Sequence, residues 1–380
     1  MKKIFTLCAI AAMFAACAKE VAQTPEDDFK TPVENAELVP VEFTTNVTAS
    51  VLSKAQGALD EWDGNQTLHI YGIEREASMN YYLLEPLIDN LETPSPVGID
   101  GALQVKQQNG QPYYYEGNST YDFYGYYIDD LDSYPVHRED GIYVPLTLTG
   151  SEDIMFAKAD VAADVQRAKD NGTFGGDSNW QDKYAYSAYA VRRNVLPCLN
   201  FKHQLVQFTF EITPGNDYAP GLDPNKVLTV KNVSLWAYNK AELCVAGSQL
   251  GLRNVDRERS AVELKLDENG VDYELEERTS VELDGSLMVI PNDPQDSDVY
   301  KMRILMSQPG VGEFTYDVNL DASKIVDGDK QFKAGYSYHI TAIVYSLKEI
   351  EISAKLTEWV NGGKININTD DAPVDAPELF

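Results

Sequence analysis

The stretch Val39-Pro40-Val41-Glu42-Phe43-Thr44-Thr45-Asn46-Val47 carries apolar side chains at alternate positions. This period of two is typical of a β-strand with one buried face. The same period recurs along the chain, in segments 68–71, 121–123, 142–148, 205–212, 227–238, 262–266, 287–290, 302–306, 314–320, 338–347 and 350–356. Turn signals such as Asn109-Gly110 and Asp327-Gly328 separate these segments, which predicts many short strands.

Only Asp160 to Asp170 shows apolar residues at helical spacing, so strands dominate the prediction. We therefore predict an all-β protein built from two tandem β-sandwiches of transthyretin-like or Greek-key topology. The strand count divides the body into an N-terminal sandwich, 36–195, and a C-terminal sandwich, 196–364, followed by a tail, 365–380.

The beginning of the chain predicts export. Lys2 and Lys3 precede a short apolar run from Phe5 to Ala16, and Cys17 follows it. This is the pattern of a signal peptide over residues 1–16, too short for a membrane-spanning helix. Residues 17–35 are rich in Ala, Pro, Glu and Asp and have no periodicity, which predicts a flexible linker.

Charge and cysteine content narrow the class of protein. The chain has 31 Lys+Arg against 60 Asp+Glu, a net charge of −29. Such a surface repels nucleic acid, which we exclude as a partner. The predicted mature body keeps Cys198 and Cys244, and the sequence leaves open whether they pair or stay as buried thiols.

No motif for catalysis, metal or cofactor binding stands out. The four histidines lack metal-ligand spacing, and His69 and His339 alternate with apolar residues, which favours hydrogen-bonded histidines within a sheet. The acidic segments 129–132 and 292–298 do not match a calcium loop and favour solvated loops. We predict no cofactor, no metal and no enzyme activity; abundant carboxylates leave a glycosidase as a distant alternative.

Tyrosine is abundant, with 23 residues and a run over 121–127. Exposed tyrosines can stack on sugars, but tyrosine also suits the half-buried face of a sheet. The alternation within 121–124 favours the structural role.

Phe14-Ala15-Ala16-Cys17 resembles the lipobox of bacterial lipoproteins. The resemblance implies acylation of Cys17 after cleavage before it, and hence a lipid tether to the outer membrane. The alternative is an ordinary signal peptide with an incidental cysteine.

Further stretches carry a second resemblance. In chain order they are Trp62-Asp63-Gly64-Asn65 with Leu68-His69-Ile70-Tyr71-Gly72, Tyr121-Asp122-Phe123-Tyr124-Gly125-Tyr126-Tyr127, Asp153-Ile154-Met155-Phe156-Ala157, Leu199-Asn200-Phe201-Lys202-His203-Gln204-Leu205, Phe332-Lys333-Ala334-Gly335-Tyr336-Ser337-Tyr338 and Leu356-Thr357-Glu358-Trp359-Val360-Asn361-Gly362-Gly363. Together they resemble the fimbrillin-like proteins, the subunits of type V pili in Gram-negative gut and oral bacteria.

This resemblance implies an assembly mechanism. A trypsin-like protease would cut after Lys54, before Ala55, and release a first strand over about residues 38–48 together with the lipid. The apolar side of that strand carries Val39, Val41, Phe43, Thr45 and Val47. The family often has arginine at the cut, so Lys54 departs from its pattern; the alternative for Lys54 is an ordinary loop lysine.

A strand from the next subunit would then fill the vacated groove. Ile365, Ile367 and Thr369 alternate with Asn366 and Asn368 and form the candidate donor strand. Two prolines further along, at 373 and 377, suit a strand poorly, so the tail is either a donor, as a stalk subunit needs, or a loose end.

The resemblance thus predicts a structural or tip (adhesin) subunit of a type V fimbria, lipid-anchored at the outer membrane before processing and in the fimbrium afterwards. Its partners would be other pilus subunits, the protease and a host protein or glycan. The alternative is a surface glycan-binding lipoprotein of a polysaccharide uptake system.

Overall fold

The computed structural model describes residues 38–47, 62, 64–75, 80–96, 102–103, 105–117, 119–129, 132–175, 180, 186–216, 218–221, 223–264, 273–293, 298–325, 330–346 and 349–357. Two α-helices lie within these residues, Val161–Asp170 (α1) and Ala188–Val191 (α2), with 3-10 turns at Pro224–Lys226 and Ala322–Lys324.

Strands make up most of the described chain. They are Phe43–Val47 (β1), Thr67–Glu74 (β2), Ile88–Pro94 (β3), Ala102–Leu103 (β4), Tyr121–Ile128 (β5), Val136–His137 (β6), Gly141–Thr147 (β7), Ile154–Lys158 (β8), Cys198–His203 (β9), Val206–Pro214 (β10), Thr229–Tyr238 (β11), Lys240–Gly247 (β12), Gly251–Arg253 (β13), Arg259–Glu263 (β14), Tyr273–Glu274 (β15), Val281–Glu282 (β16), Leu287–Val289 (β17), Val299–Gln308 (β18), Gly312–Asp321 (β19), Ser337–Ser346 (β20) and Glu349–Thr357 (β21).

The N-terminal sandwich is built on a seven-stranded sheet with the order β3-β2-β5-β8-β9-β1-β4. On one face of this sheet a core of buried residues includes Phe43, Phe123 and Phe201 together with Val161 and Val165 of α1. The other face, which carries Tyr71, Tyr124 and Tyr126, packs against a second sheet of order β13-β12-β7-β6. The run of tyrosines in β5 is therefore buried, as the alternation predicts.

The C-terminal sandwich encloses a separate core between two sheets. One has the order β16-β10-β20-β21 with β17 also on β10, and the other has β14-β11-β18-β19 with β15 on β11. Alternate residues of β18, including Met302, Ile304 and Met306, point into this core. The chain is thus an all-β protein of tandem sandwiches, as the sequence predicts.

The two sandwiches share chain segments across the predicted division at residue 195. The strand β9 belongs to the seven-stranded sheet, where it pairs with β8 and β1. The β12–β13 hairpin follows β11, a strand of the C-terminal sandwich. Its strand β12 pairs with β7 of the N-terminal sandwich. The division of the chain into two domains at residue 195 stays a prediction.

The helix prediction over 160–170 is confirmed by α1. Asp160 has extended backbone and its side chain accepts from the backbone N–H of Ala162 and Ala163. This N-cap satisfies donors that a helix start leaves unpaired. The short helix α2, with Ser187 as its N-cap, has no counterpart in the sequence prediction.

Candidate functional site: the first-strand slot

The first strand lies inside the seven-stranded sheet rather than at its rim. On one side Thr44 to Val47 pair in parallel with residues 198–201 of β9. On the other side Phe43 and Thr44 pair antiparallel with β4. Ahead of β1, Val41 N donates to Tyr113 O at 2.8 Å and Tyr115 N donates to Val39 O at 3.0 Å. We call the space between these partners, 102–103 and 113–115 on one side and 198–201 on the other, the first-strand slot.

Two apolar side chains of the first strand fill the floor of this slot. Val41 and Phe43 are 3% and 2% exposed, whereas Glu42 between them is exposed. The Phe43 ring meets the Phe123 ring edge to face, with centroids 4.8 Å apart. Complete burial of a side chain of this size contributes about 1.5–3 kcal/mol, so these two positions add to the backbone pairing that holds the strand in the slot.

A buried polar pair fixes the far end of β9 independently of the first strand. His203 Nδ1 lies 3.0 Å from Asp153 Oδ1 and 2.9 Å from Oδ2, and neither side chain reaches solvent. Asp153 directly precedes β8, so two of the stretches that resemble the fimbrillin-like pattern meet in this pair. Phe201, two residues earlier, packs against Trp62 and against Gly125, where a Cβ would lie 2.7 Å from its ring.

A buried carboxylate of α1 holds the near end of β9. Asp164 Oδ2 accepts from Cys198 N at 3.0 Å and from the Tyr186 hydroxyl, and Oδ1 accepts from Arg167 Nη1 at 2.7 Å. Burial raises the pKa of Asp164 even though these donors oppose the rise. Cys198 faces Thr44 of the first strand, so this network positions the edge of the slot.

The structure describes only part of the predicted site. Val39 is half-buried, Val41 and Phe43 are buried, and Thr45 and Val47 lie within β1. Cys17, Lys54, Ala55, Ile365, Ile367 and Thr369 lie outside the described residues.

Other candidate chemistry is sparse in the part of the chain that the structure describes. No three His, Cys, Asp or Glu side chains are grouped so that they could hold a metal ion. No disulfide joins Cys198 and Cys244, and Cys244 is buried. His339 forms a hydrogen bond with Thr209 at 3.0 Å, as expected for a sheet histidine. His69 forms a hydrogen bond with Asn90, although its Nδ1 has no partner among the described residues.

Comparison with known proteins identifies one matching family and several similar solved structures. A family model described as fimbrillin-like matches residues 53–359. A Bacteroides uniformis protein provisionally assigned to cell adhesion is 18% identical, with a TM-score of 0.47 over 85% of this chain and 99% of that one. A fimbrial protein from Bacteroides vulgatus is 12% identical, with a TM-score of 0.47 over 84% and 99%. The fimbrial anchor protein Mfa2 from Porphyromonas gingivalis is 7% identical, with a TM-score of 0.36 over 87% and 100%. No curated protein sequence matches the chain.

The fimbrillin-like match extends over most of the chain, and the chain belongs to this family. Membership indicates a structural fimbrial protein at the cell surface that associates with other fimbrial subunits. Within the described residues, no helix is both long enough and apolar enough to cross a membrane.

Proposed function

We propose that this chain is a structural or tip subunit of a type V fimbria that is assembled by exchange of its first strand. A protease cuts between Lys54 and Ala55, and an extended strand of the next subunit enters the first-strand slot. The observation that carries the proposal is the position of β1. It is the first strand of the described residues, yet it lies between β9 and β4 with Val41 and Phe43 buried. A single cut before β2 would therefore release it.

The physical consequence of that release is an open sheet edge above an apolar floor. The backbone groups of residues 198–201 and 113–115 would lose their partners, and the ring of Phe123 would lose its contact with Phe43. Such an edge pairs readily with an added strand, whose main chain gives affinity and whose alternate side chains give specificity. The first strand therefore acts as a cap that prevents premature assembly.

The β9 edge of the slot is held in place by contacts that do not involve the first strand. Asp153 with His203 holds one end of residues 198–203, and Asp164 holds the other. A slot that keeps its shape loses less conformational entropy when it binds the incoming strand.

In this scheme Cys17 carries the lipid that tethers the precursor to the outer membrane. Cleavage after Lys54 releases the lipid together with the first strand. Ile365, Ile367 and Thr369 supply the donor strand if the chain is a stalk subunit. A tip subunit needs no donor and instead contacts a host protein or glycan.

The N-terminus of protein sheared from native bacteria, read by mass spectrometry, tests the proposal. We expect an unlipidated start at Ala55, and assemblies that run as detergent-resistant ladders. Lys54→Ala should abolish both. Lys226→Ala, which removes an exposed lysine from a 3-10 turn, is the matched control and should change neither. A start at acylated Cys17 on every molecule would overturn strand removal.

A further inference from the structure

A second concave surface lies on the N-terminal sandwich, away from the first-strand slot. It has a volume of about 510 Å³ and runs between β2–β3 and the segment Asp132–Pro135 that leads into β6. We call it the polar groove; its lining is Asn65, Gln66, Thr67, His69, Asn90, Glu92, Tyr127, Ile128, Asp129, Asp132, Ser133, Tyr134 and Pro135. No lysine or arginine is among these lining residues. The polar groove shares no residue with the first-strand slot.

A buried histidine with an unused nitrogen lines this groove. His69 is only 6% exposed, yet its Nδ1 has no hydrogen-bond partner among the described residues. A buried polar atom without a partner destabilises the folded state. Burial lowers the pKa of His69, opposed by Glu92 and by a hydrogen bond with Asn90, which favours a neutral ring at neutral pH. The Nδ1 atom itself is closed to solvent, so His69 acts on the groove through its hydrogen bond with Asn90 rather than by contacting a ligand.

The surrounding side chains hold His69 in place. Its ring stacks on Tyr126 with centroids 4.6 Å apart and planes at 10°. The Tyr126 hydroxyl donates to Asn90 Oδ1 at 2.7 Å, so the Asn90 amide is oriented as well. Glu92 faces His69 across the β2–β3 pair. The polar atoms of the groove are thus fixed before any ligand arrives, as in a preformed small-molecule site.

An aromatic ring stands at the rim. Tyr134 is 86% exposed, the most exposed of the large hydrophobic side chains in the described chain. A flat, solvent-exposed ring beside convergent hydrogen-bonding groups can pack against the C–H face of a sugar while the oxygens around it bind the hydroxyls.

Charge decides the class of sugar. Glu92, Asp129 and Asp132 are among the lining residues, which include no lysine or arginine, and the whole chain is strongly acidic. Sialylated or sulfated glycans would meet like charge. The geometry points to the polar groove as a binding site for an uncharged oligosaccharide, with Tyr134 as the stacking platform, Asn90 and Glu92 as the hydroxyl-binding groups and His69 as the residue that positions Asn90. This site would bind its oligosaccharide whether or not the first strand is exchanged.

An array of immobilised oligosaccharides tests the site on purified protein with both sandwiches intact. The array carries neutral glycans of glucose, galactose, mannose and N-acetylhexosamine, sialylated and sulfated versions of them, and a lysine-rich peptide. We expect binding to a subset of neutral glycans alone. Tyr134→Ala should weaken that binding about tenfold, since aromatic packing contributes on the order of 1 kcal/mol. Tyr82→Ala, which removes another exposed tyrosine outside the groove, is the matched control.

Two conservative variants separate a binding role from a structural one. His69→Phe keeps a ring on Tyr126 but removes both nitrogens, and Glu92→Gln removes a charge from an exposed position. Both should reduce glycan binding while thermal unfolding stays close to that of the parent protein. Absence of neutral-glycan binding, equal binding of charged glycans, binding of the lysine-rich peptide instead, or full binding by Tyr134→Ala would each overturn the assignment. None of these results alters the N-terminus found on sheared protein.

Discussion

At the scale of single residues, one ion pair joins the first half of the chain to the second. Arg138, in the turn between β6 and β7, donates from Nη1 to Glu242 Oε2 at 2.8 Å, and Nη2 reaches Oε1. Glu242 lies on β12, and Asn254 also donates to it. The hydrogen bond from Arg138, followed by that from Asn254, lowers the pKa of Glu242.

A depressed pKa makes this pair a source of pH-dependent stability. Because the carboxylate is favoured in the folded state, its contribution is complete above the unfolded value of about 4.3 and is lost as the pH falls through the folded pKa. Arg138 is 40% exposed, so solvent screening limits the contribution to below about 1 kcal/mol.

We therefore expect Glu242→Gln to lower the free energy of unfolding by about 0.5–1 kcal/mol at pH 7. The difference should shrink as the pH falls below about 4.3 and through the lowered folded pKa, because the parent carboxyl then becomes neutral like the glutamine. Urea unfolding at pH 7, 5 and 3 measures it. Glu313→Gln, at an exposed position of β19, is the control and should have little effect at any pH. An equal deficit at pH 7 and pH 3 would show that the charge is not what matters.

At the scale of elements, the first strand combines two kinds of pairing in nine residues. Its beginning is antiparallel to residues 113–115 and its end is parallel to β9. Over residues 41–43 the buried and exposed positions alternate, so the register determines which side chains enter the floor. An added strand must therefore present an apolar residue where Phe43 lies.

This argument predicts that a chain beginning at Ala55 will bind a synthetic peptide of residues 38–48. Fluorescence anisotropy of the labelled peptide would show saturable binding, because backbone pairing and burial of Val41 and Phe43 act together. The matched control is a peptide with Glu42 and Phe43 exchanged, which has the same composition but directs the carboxylate at Phe123. We expect the control to bind at least tenfold more weakly, and equal binding of the two peptides would contradict a side-chain-specific slot.

The sequence predicts local features well and distant pairing poorly. The helix over 160–170 and the burial of Tyr121 and Tyr124 follow from neighbouring residues, because helical spacing and alternation are local patterns. The parallel pairing of Thr44 with Cys198 does not, since no period within either strand specifies its partner. The same limit hides the polar groove: His69 alternates like any buried strand residue, and only the tertiary contacts show its unpartnered Nδ1.

At the scale of the whole molecule, the two sandwiches are interleaved rather than simply consecutive. The chain leaves the C-terminal sandwich after β11, pairs β12 with seven residues of β7, and returns through β14. Residues of both halves meet in one core, where Ile142 and Val144 pack with Leu243 and Met288. Neither half can bury all of its apolar surface without the other.

Interleaving predicts that the two sandwiches unfold together. In hydrogen exchange followed by mass spectrometry across a urea series, peptides from β5 and from β18 should lose protection at the same midpoint, as a cooperative unit does. Two separate midpoints in the parent protein would contradict this expectation.

Gly141→Val sharpens the test at the contact between the halves. A Cβ at Gly141 would lie 2.6 Å from the Ala246 carbonyl oxygen, so the β7–β12 ladder must shift. We expect a loss of about 1–3 kcal/mol and separation of the two midpoints, with β5 unfolding first. Gly110→Ala is the control, because no atom lies within 4 Å of its added Cβ although its φ of +80° makes alanine unfavourable there. It should lower stability without separating the transitions, which would locate the coupling in the β7–β12 ladder.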